Sequence, residues 1–222
     1  MAEMTSAGPA GLSREQEEAA FYHEAALNAA WTGSRLMIGI VTAGLGAFVF
    51  AFFYLRSLNS YGLWYPHAFK GPQQWTGATV MILVVVSAAL QSVGLQQIKA
   101  GKKGAWSGAA TAALVLGVVA GALQIWQLTA LPFQPGASGF ASVFVGAQPA
   151  LIALILGTMI WLETLVMRAR NIPEIFFVEQ PPTFEQAAEV QRFQASLSGF
   201  TLFWNYLAIV SIVMWVLFYL VH

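Results

Sequence analysis

Cysteine is absent from this sequence, and charge is scarce: only 9% of its 222 residues are Asp, Glu, Lys or Arg. The first absence excludes disulfides, thiolate metal sites and cysteine nucleophiles, and says little about compartment. The second excludes an ordinary soluble domain, whose water-facing surface takes about 25% charged residues. Ten basic and ten acidic residues leave a formal net charge of zero, so nothing favours a nucleic acid as partner. Histidine is rare. His23, His67 and His222 fall outside the apolar runs, which leaves no imidazole for haem or copper inside a bilayer. The N-terminal MAEMTSAGPAGLSREQEEAAFYHE has acids and no apolar core region, so it does not read as a cleaved secretory signal.

What fills the chain is apolar: 58% of it is hydrophobic and 14% aromatic. Five long runs stand out, roughly Leu36–Leu55, Trp75–Ile98, Trp106–Leu128, Phe144–Met167 and Phe200–Val221. Each approaches the ~20 residues that a helix needs to cross a bilayer. No alternation of about ten residues marks barrel strands. The expected fold is therefore all-α, an integral membrane five-helix bundle whose helices satisfy their own backbones in lipid. Trp75, Trp106, Trp126, Trp161, Trp204 and Trp215 lie at or near the expected span ends and read as interfacial anchors.

Basic residues set the expected orientation. Arg14, Arg35, Lys99, Lys102, Lys103, Arg168, Arg170 and Arg192 fall on one side, and only Arg56 and Lys70 on the other. This places the N-terminus in the cytoplasm and the C-terminus outside. Residues 1–34 read as a cytoplasmic arm with a surface helix over Leu12–Trp31, Ser13 being its N-cap. Residues 35–222 form the five-span domain. Its cytoplasmic loop 171–199 holds Pro173, Pro181 and Pro182, then a short surface helix in the polar run Thr183–Gln194. Gly104–Gly108 and Gly117–Gly121 have the small-residue spacing of closely packed membrane helices. No internal repeat is evident.

Few polar groups lie within the spans. Glu163, one turn before Arg168, is the best ionisable candidate; it either feeds protons to a neighbour or snorkels and pairs with Arg168. Gln91, Gln96 and Gln97 near the end of the second span, and Gln124 and Gln127 near the end of the third, are expected to bond to backbone or headgroups. Gln148–Pro149 either opens the fourth helix or kinks it. No catalytic constellation, phosphate-cradling loop or intramembrane carboxylate pair appears. Scattered methionines (Met37, Met81, Met159, Met214) read as core filler.

Four fragments resemble subunit III of the heme-copper oxidases, the cytochrome c and quinol oxidases. They are FAFFYLR (Phe50–Arg56) with Trp64 and Pro66, LGVVAGALQIWQL (Leu116–Leu128), the run Ser138–Leu162 with its Gly-Phe start and Ile-Trp-Leu end, and LFWNYLAIV (Leu202–Val210). Their order and spacing fit the five-helix members, over about Arg35 to His222. The family's ionisable positions are replaced. Its buried Glu of the first span falls near Val41 or Thr42, two histidines of the fourth become Leu151 and Leu154, and the acidic pair closing the third becomes Gln124 and Gln127. In the last span, His becomes Asn205 and Asp becomes Ala208.

The resemblance implies a divergent, non-catalytic accessory subunit in a bacterial inner membrane, with no cofactor of its own. It implies haem and copper in a partner catalytic subunit I, contacts with other oxidase subunits, and bound phospholipids. Glu163, Gln148, Asn205 and Gln124 are the candidate intramembrane polar site. The alternatives are an accessory subunit of another respiratory complex, or a small carrier or channel using Glu163 and the glutamines. An enzyme built on Glu163 is disfavoured because no second group with a matching role is visible.

Overall fold

The computed structural model describes residues 14–59, 62–66, 70–179 and 181–221. Ser13, His67 and His222 lie outside them. The described chain folds as five helices: α1 (Arg14–Ser57), α2 (Gln74–Lys99), α3 (Lys103–Thr129), α4 (Gly139–Arg170) and α5 (Phe184–Tyr219). One 3-10 turn, Glu174–Phe177, lies between α4 and α5. All five helices contain stretches long and apolar enough to cross a bilayer, the architecture of a multi-pass membrane protein.

The helices close into a ring. α2 packs on α3 and α5, α5 on α1, α1 on α4, and α4 on α3, with a smaller α4–α5 contact across the middle. Thr42 meets Tyr206 and Phe52 meets Phe218, so α1 and α5 run the same way. Ser87 meets Trp204 while Gly77 meets Tyr219, and Gln124 meets Gln148 while Gly117 meets Met159, so α2 runs antiparallel to α5 and α4 to α3. One face of the bundle thus gathers residues 100–102, 171–179 and 181–183, and the other gathers 58–59, 62–66, 70–73 and 130–138.

Local chemistry explains the boundaries. The α2–α3 turn needs a left-handed residue, and Gly101 supplies it at φ 76°. Lys103 Nζ then donates to the carbonyl of Ile172, tying the start of α3 to the end of α4. Ser138 caps α4 by accepting from the Ala141 N–H at 3.0 Å, and Thr183 caps α5 by accepting from Gln186 N–H at 3.3 Å.

Several expectations change here. The arm helix and the first span are one helix of 44 residues, running through the 34/35 boundary. Gly33 alone does not stop it, and Ser34 Oγ donates back to Ala30 O at 3.0 Å without leaving helical geometry. The polar helix expected in loop 171–199 is likewise the beginning of a 36-residue α5, because nothing between Gln194 and Phe200 breaks a helix. α4 starts at Gly139, five residues before the expected Phe144. Pro149 therefore lies in the helix interior, not in its first turn, and withholds a donor from the Val145 carbonyl.

Between helices in lipid, apolar contact gains little, because the tails are as apolar as leucine; close backbone approach and polar bonds matter more. Gly117 and Gly121 allow that approach. A β-carbon on either would overlap Met159 or Leu156 of α4. Gly104 and Gly108 have nothing within 4 Å, so only the second glycine pair packs within the chain. Trp106 and Trp204 are fully buried rather than interfacial: Trp106 is edge-on to Phe193, and Trp204 hydrogen-bonds inside the bundle. Trp75 and Trp126 are exposed and face each other at 6.4 Å, as anchors would be. Phe52, Trp64, Phe140, Phe144 and Phe218 form an aromatic knot toward the 58–73 face. Phe52–Trp64 centroids are 4.9 Å apart and Phe144–Phe218 centroids 5.2 Å.

Candidate functional site

Of the four candidate polar residues, the structure brings two together. Gln124 of α3 and Gln148 of α4 are buried, and Gln124 Nε2 donates to Gln148 Oε1 at 2.6 Å. The bond forms because Gly117 and Gly121 draw α3 against α4, so the facing amides meet beyond those contacts. One turn nearer the helix ends, Gln127 Nε2 donates to the Tyr219 hydroxyl at 2.6 Å and reaches Gln73 O at 3.3 Å. Gln74 Nε2 donates to the Tyr219 carbonyl at 3.3 Å. Gly77 makes room for the ring, since a β-carbon there would overlap Tyr219. Thus Gln124 bonds to another helix's side chain rather than to backbone or headgroups, whereas Gln127 bonds to the Tyr219 hydroxyl and also, within the expectation, to a backbone carbonyl, that of Gln73.

A cavity of about 40 Å³ lies beside these residues, lined by Gln124, Gln127, Gln148, Leu151, Ser211, Trp215 and Tyr219 among others. Gln124 Oε1 and Trp215 Nε1 are buried and have no protein hydrogen-bond partner. Three positions where the family resemblance would put ionisable groups, Gln124, Gln127 and Leu151, line this one cavity.

Asn205 belongs to a second group. Its Nδ2 and Oδ1 lie 2.9 and 3.1 Å from Ser92 Oγ, linking α5 to α2. Nearby, Trp204 Nε1 donates to Ser87 Oγ at 3.1 Å, and Ser87 Oγ donates to Ala113 O at 2.7 Å, joining α5, α2 and α3 through one hydroxyl. Thr42 and Tyr206 share a hydroxyl pair at 2.8 Å between α1 and α5. Each such interhelical bond contributes about 0.6 kcal/mol on average in membrane proteins. Gln91 is fully enclosed in α2, and neither side-chain polar atom has a protein partner.

Glu163 stands apart from both groups. It is exposed on α4, and no ion pair with Arg168 is present among the described residues. No group of three or more His, Cys, Asp or Glu converges among those residues. The buried polar side chains are amides, hydroxyls and indoles, a donor set that fits neither haem nor copper. They hydrogen-bond to one another and to backbone across the bundle. The sequence reading missed Ser87, Ser92, Tyr206 and Tyr219, and named Thr42 only as a place near the family's buried Glu. Isolated hydroxyls in apolar runs give no periodic signal, and only their partners across the bundle reveal them.

The fold and the neutral interior define an all-helical bundle with five potential membrane spans. No family model matches the chain, and no curated protein matches it.

Proposed function

We propose that this chain is a non-catalytic accessory subunit of a respiratory heme-copper oxidase, of the subunit III kind, in a bacterial inner membrane. It packs on the catalytic subunit, shields it from lipid and binds phospholipid. One observation carries the reading: the fragments that resemble that family pack on one another. Phe52 meets Trp64, Trp64 meets Phe140 at 5.9 Å, and Gly139 and Phe140 N–H donate to the Leu63 and Trp64 carbonyls at 3.3 Å. At the other end of the Ser138–Leu162 fragment, Trp161 is 5.3 Å from Phe200 and 6.4 Å from Phe203 of the last span. The aromatic side chains of these fragments thus touch one another at both ends of the Ser138–Leu162 run. Neutral amides and leucines at the ionisable positions suit a subunit whose task is packing.

Purification of the full chain from its own membrane in mild detergent tests this. The expected result is co-elution with a haem-bearing subunit, visible in the absorption spectrum. Elution alone, or with partners that carry no haem, overturns it.

A further inference from the structure

The cavity beside Gln124 is apolar on most of its wall, yet two of its polar atoms have no protein partner: the acceptor Gln124 Oε1 and the donor Trp215 Nε1. Gln124 is 6% exposed, so its free oxygen cannot turn to bulk solvent. A cavity lined only by hydrocarbon stays dry, but one with an orphan donor and an orphan acceptor is wet if it has room. A water needs about 10–15 Å³ of such space, so the cavity of about 40 Å³ holds roughly two to four. A lipid headgroup does not fit in it.

Two larger cavities adjoin it. One of about 240 Å³ is lined by Gly71, Gln74 and Tyr219, and one of about 250 Å³ by Lys70, Gly71 and Gln127. Tyr219 is a wall shared with the first, and Gln127 a wall shared with the second. These two residues are hydrogen-bonded to each other, so the Gln127–Tyr219 bond lies between the inner cavity and the two outer ones, flanked by the Gln127–Gln73 and Gln74–Tyr219 bonds.

We propose that the Gln124–Gln148 cavity is a hydrated site inside the membrane domain. Water donates to Gln124 Oε1, accepts from Trp215 Nε1, and exchanges with the face carrying Lys70 through a passage that the Gln127–Tyr219 bond closes. The passage ends at the amide pair. Leu151 and Ile155 continue the wall beyond it, so it admits water without crossing the bundle.

The chain has no cysteine, so an introduced thiol is the only one. Ser211→Cys places it on the cavity wall, and Ile209→Cys places it at similar depth on the bundle's outer surface, where Ile209 is 62% exposed. The full chain, in sealed native-membrane vesicles of either orientation, is treated with a cationic methanethiosulfonate that does not cross lipid. Because the thiolate is the nucleophile and needs water to form, the Ser211 site should react at least about tenfold faster than the Ile209 site, and from the Lys70 face. Adding Tyr219→Phe should speed that reaction about fivefold, the weight of one net hydrogen bond. Met81→Cys, on the same cavity wall, serves if Ser211→Cys does not accumulate. Equal slow reaction at the cavity and surface positions, reaction from the opposite face, or no response to Tyr219→Phe overturns the proposal.

Discussion

Met159 of α4 occupies the space that a side chain on Gly117 of α3 would need: a β-carbon there would overlap its sulfur. The two helices are therefore held at a separation that only glycine permits at this level. Met159 itself is 2% exposed.

Gly117→Val should lower stability by about 1–3 kcal/mol, the usual range for overpacking. Gly104→Val, with nothing within 4 Å of the same modification, should leave stability close to wild type. Thermal unfolding of both variants in one detergent checks this. Adding Met159→Ala to Gly117→Val should recover part of the loss, because the two changes share one contact.

Gln148→Leu should destabilise the bundle by about 1–3 kcal/mol, since it strands the Gln124 amide in a buried site. The double variant Gln124→Leu/Gln148→Leu removes both partners and should fall nearer wild type than either single change. A double-mutant cycle on unfolding midpoints measures the coupling. Strict additivity would show that the 2.6 Å bond contributes nothing.

Tyr65 lies outside the spans, and burial pushes its phenol above the ordinary value, with the Gly71 N–H working in the opposite direction. A phenol whose folded value is raised contributes stability that is fully present below the unfolded value of about 10 and is lost as pH rises through the folded value. Alkaline titration followed by phenolate absorbance should lose one component above about pH 10 in Tyr65→Phe. Tyr65→Phe should also blunt the loss of stability on the alkaline side.

Glu163→Gln should leave turnover of the proposed oxidase assembly nearly unchanged, because Glu163 is exposed and distant in the fold from both buried polar groups. Oxygen consumption by the purified assembly measures it. A fall of about tenfold, or roughly 1.4 kcal/mol in the barrier, would give that carboxylate a role that its position does not explain.

The spans were legible because composition alone forces helices in lipid, and their approximate limits followed from hydropathy. The ends were not. The capping hydroxyl of Ser138 lies six residues before the first residue assigned to the fourth span, among residues that hydropathy scores as loop. α1 and α5 run on through polar sequence because a helix already nucleated in its apolar part adds residues at little cost. Gln124 and Gln148 were recognisable as unusual one at a time, whereas their partnership depends on the α3–α4 separation that Gly117 and Gly121 set. Trp204 was misplaced for a related reason. An indole near a span end fits the interface until a buried hydroxyl, here Ser87, is found to receive it.

α1 extends 44 residues, about 66 Å at helical rise, more than twice the ~30 Å of a bilayer's hydrocarbon core. Near its middle Ser34 meets Gly199 of α5, and toward the N-terminus Phe21 and Tyr22 are exposed. With no break on either side of that contact, the helix is mechanically a lever pivoted at Ser34. A force on the Phe21–Tyr22 end would reach the Thr42–Tyr206 and Phe52–Phe218 contacts at the far end with no intervening hinge to absorb it.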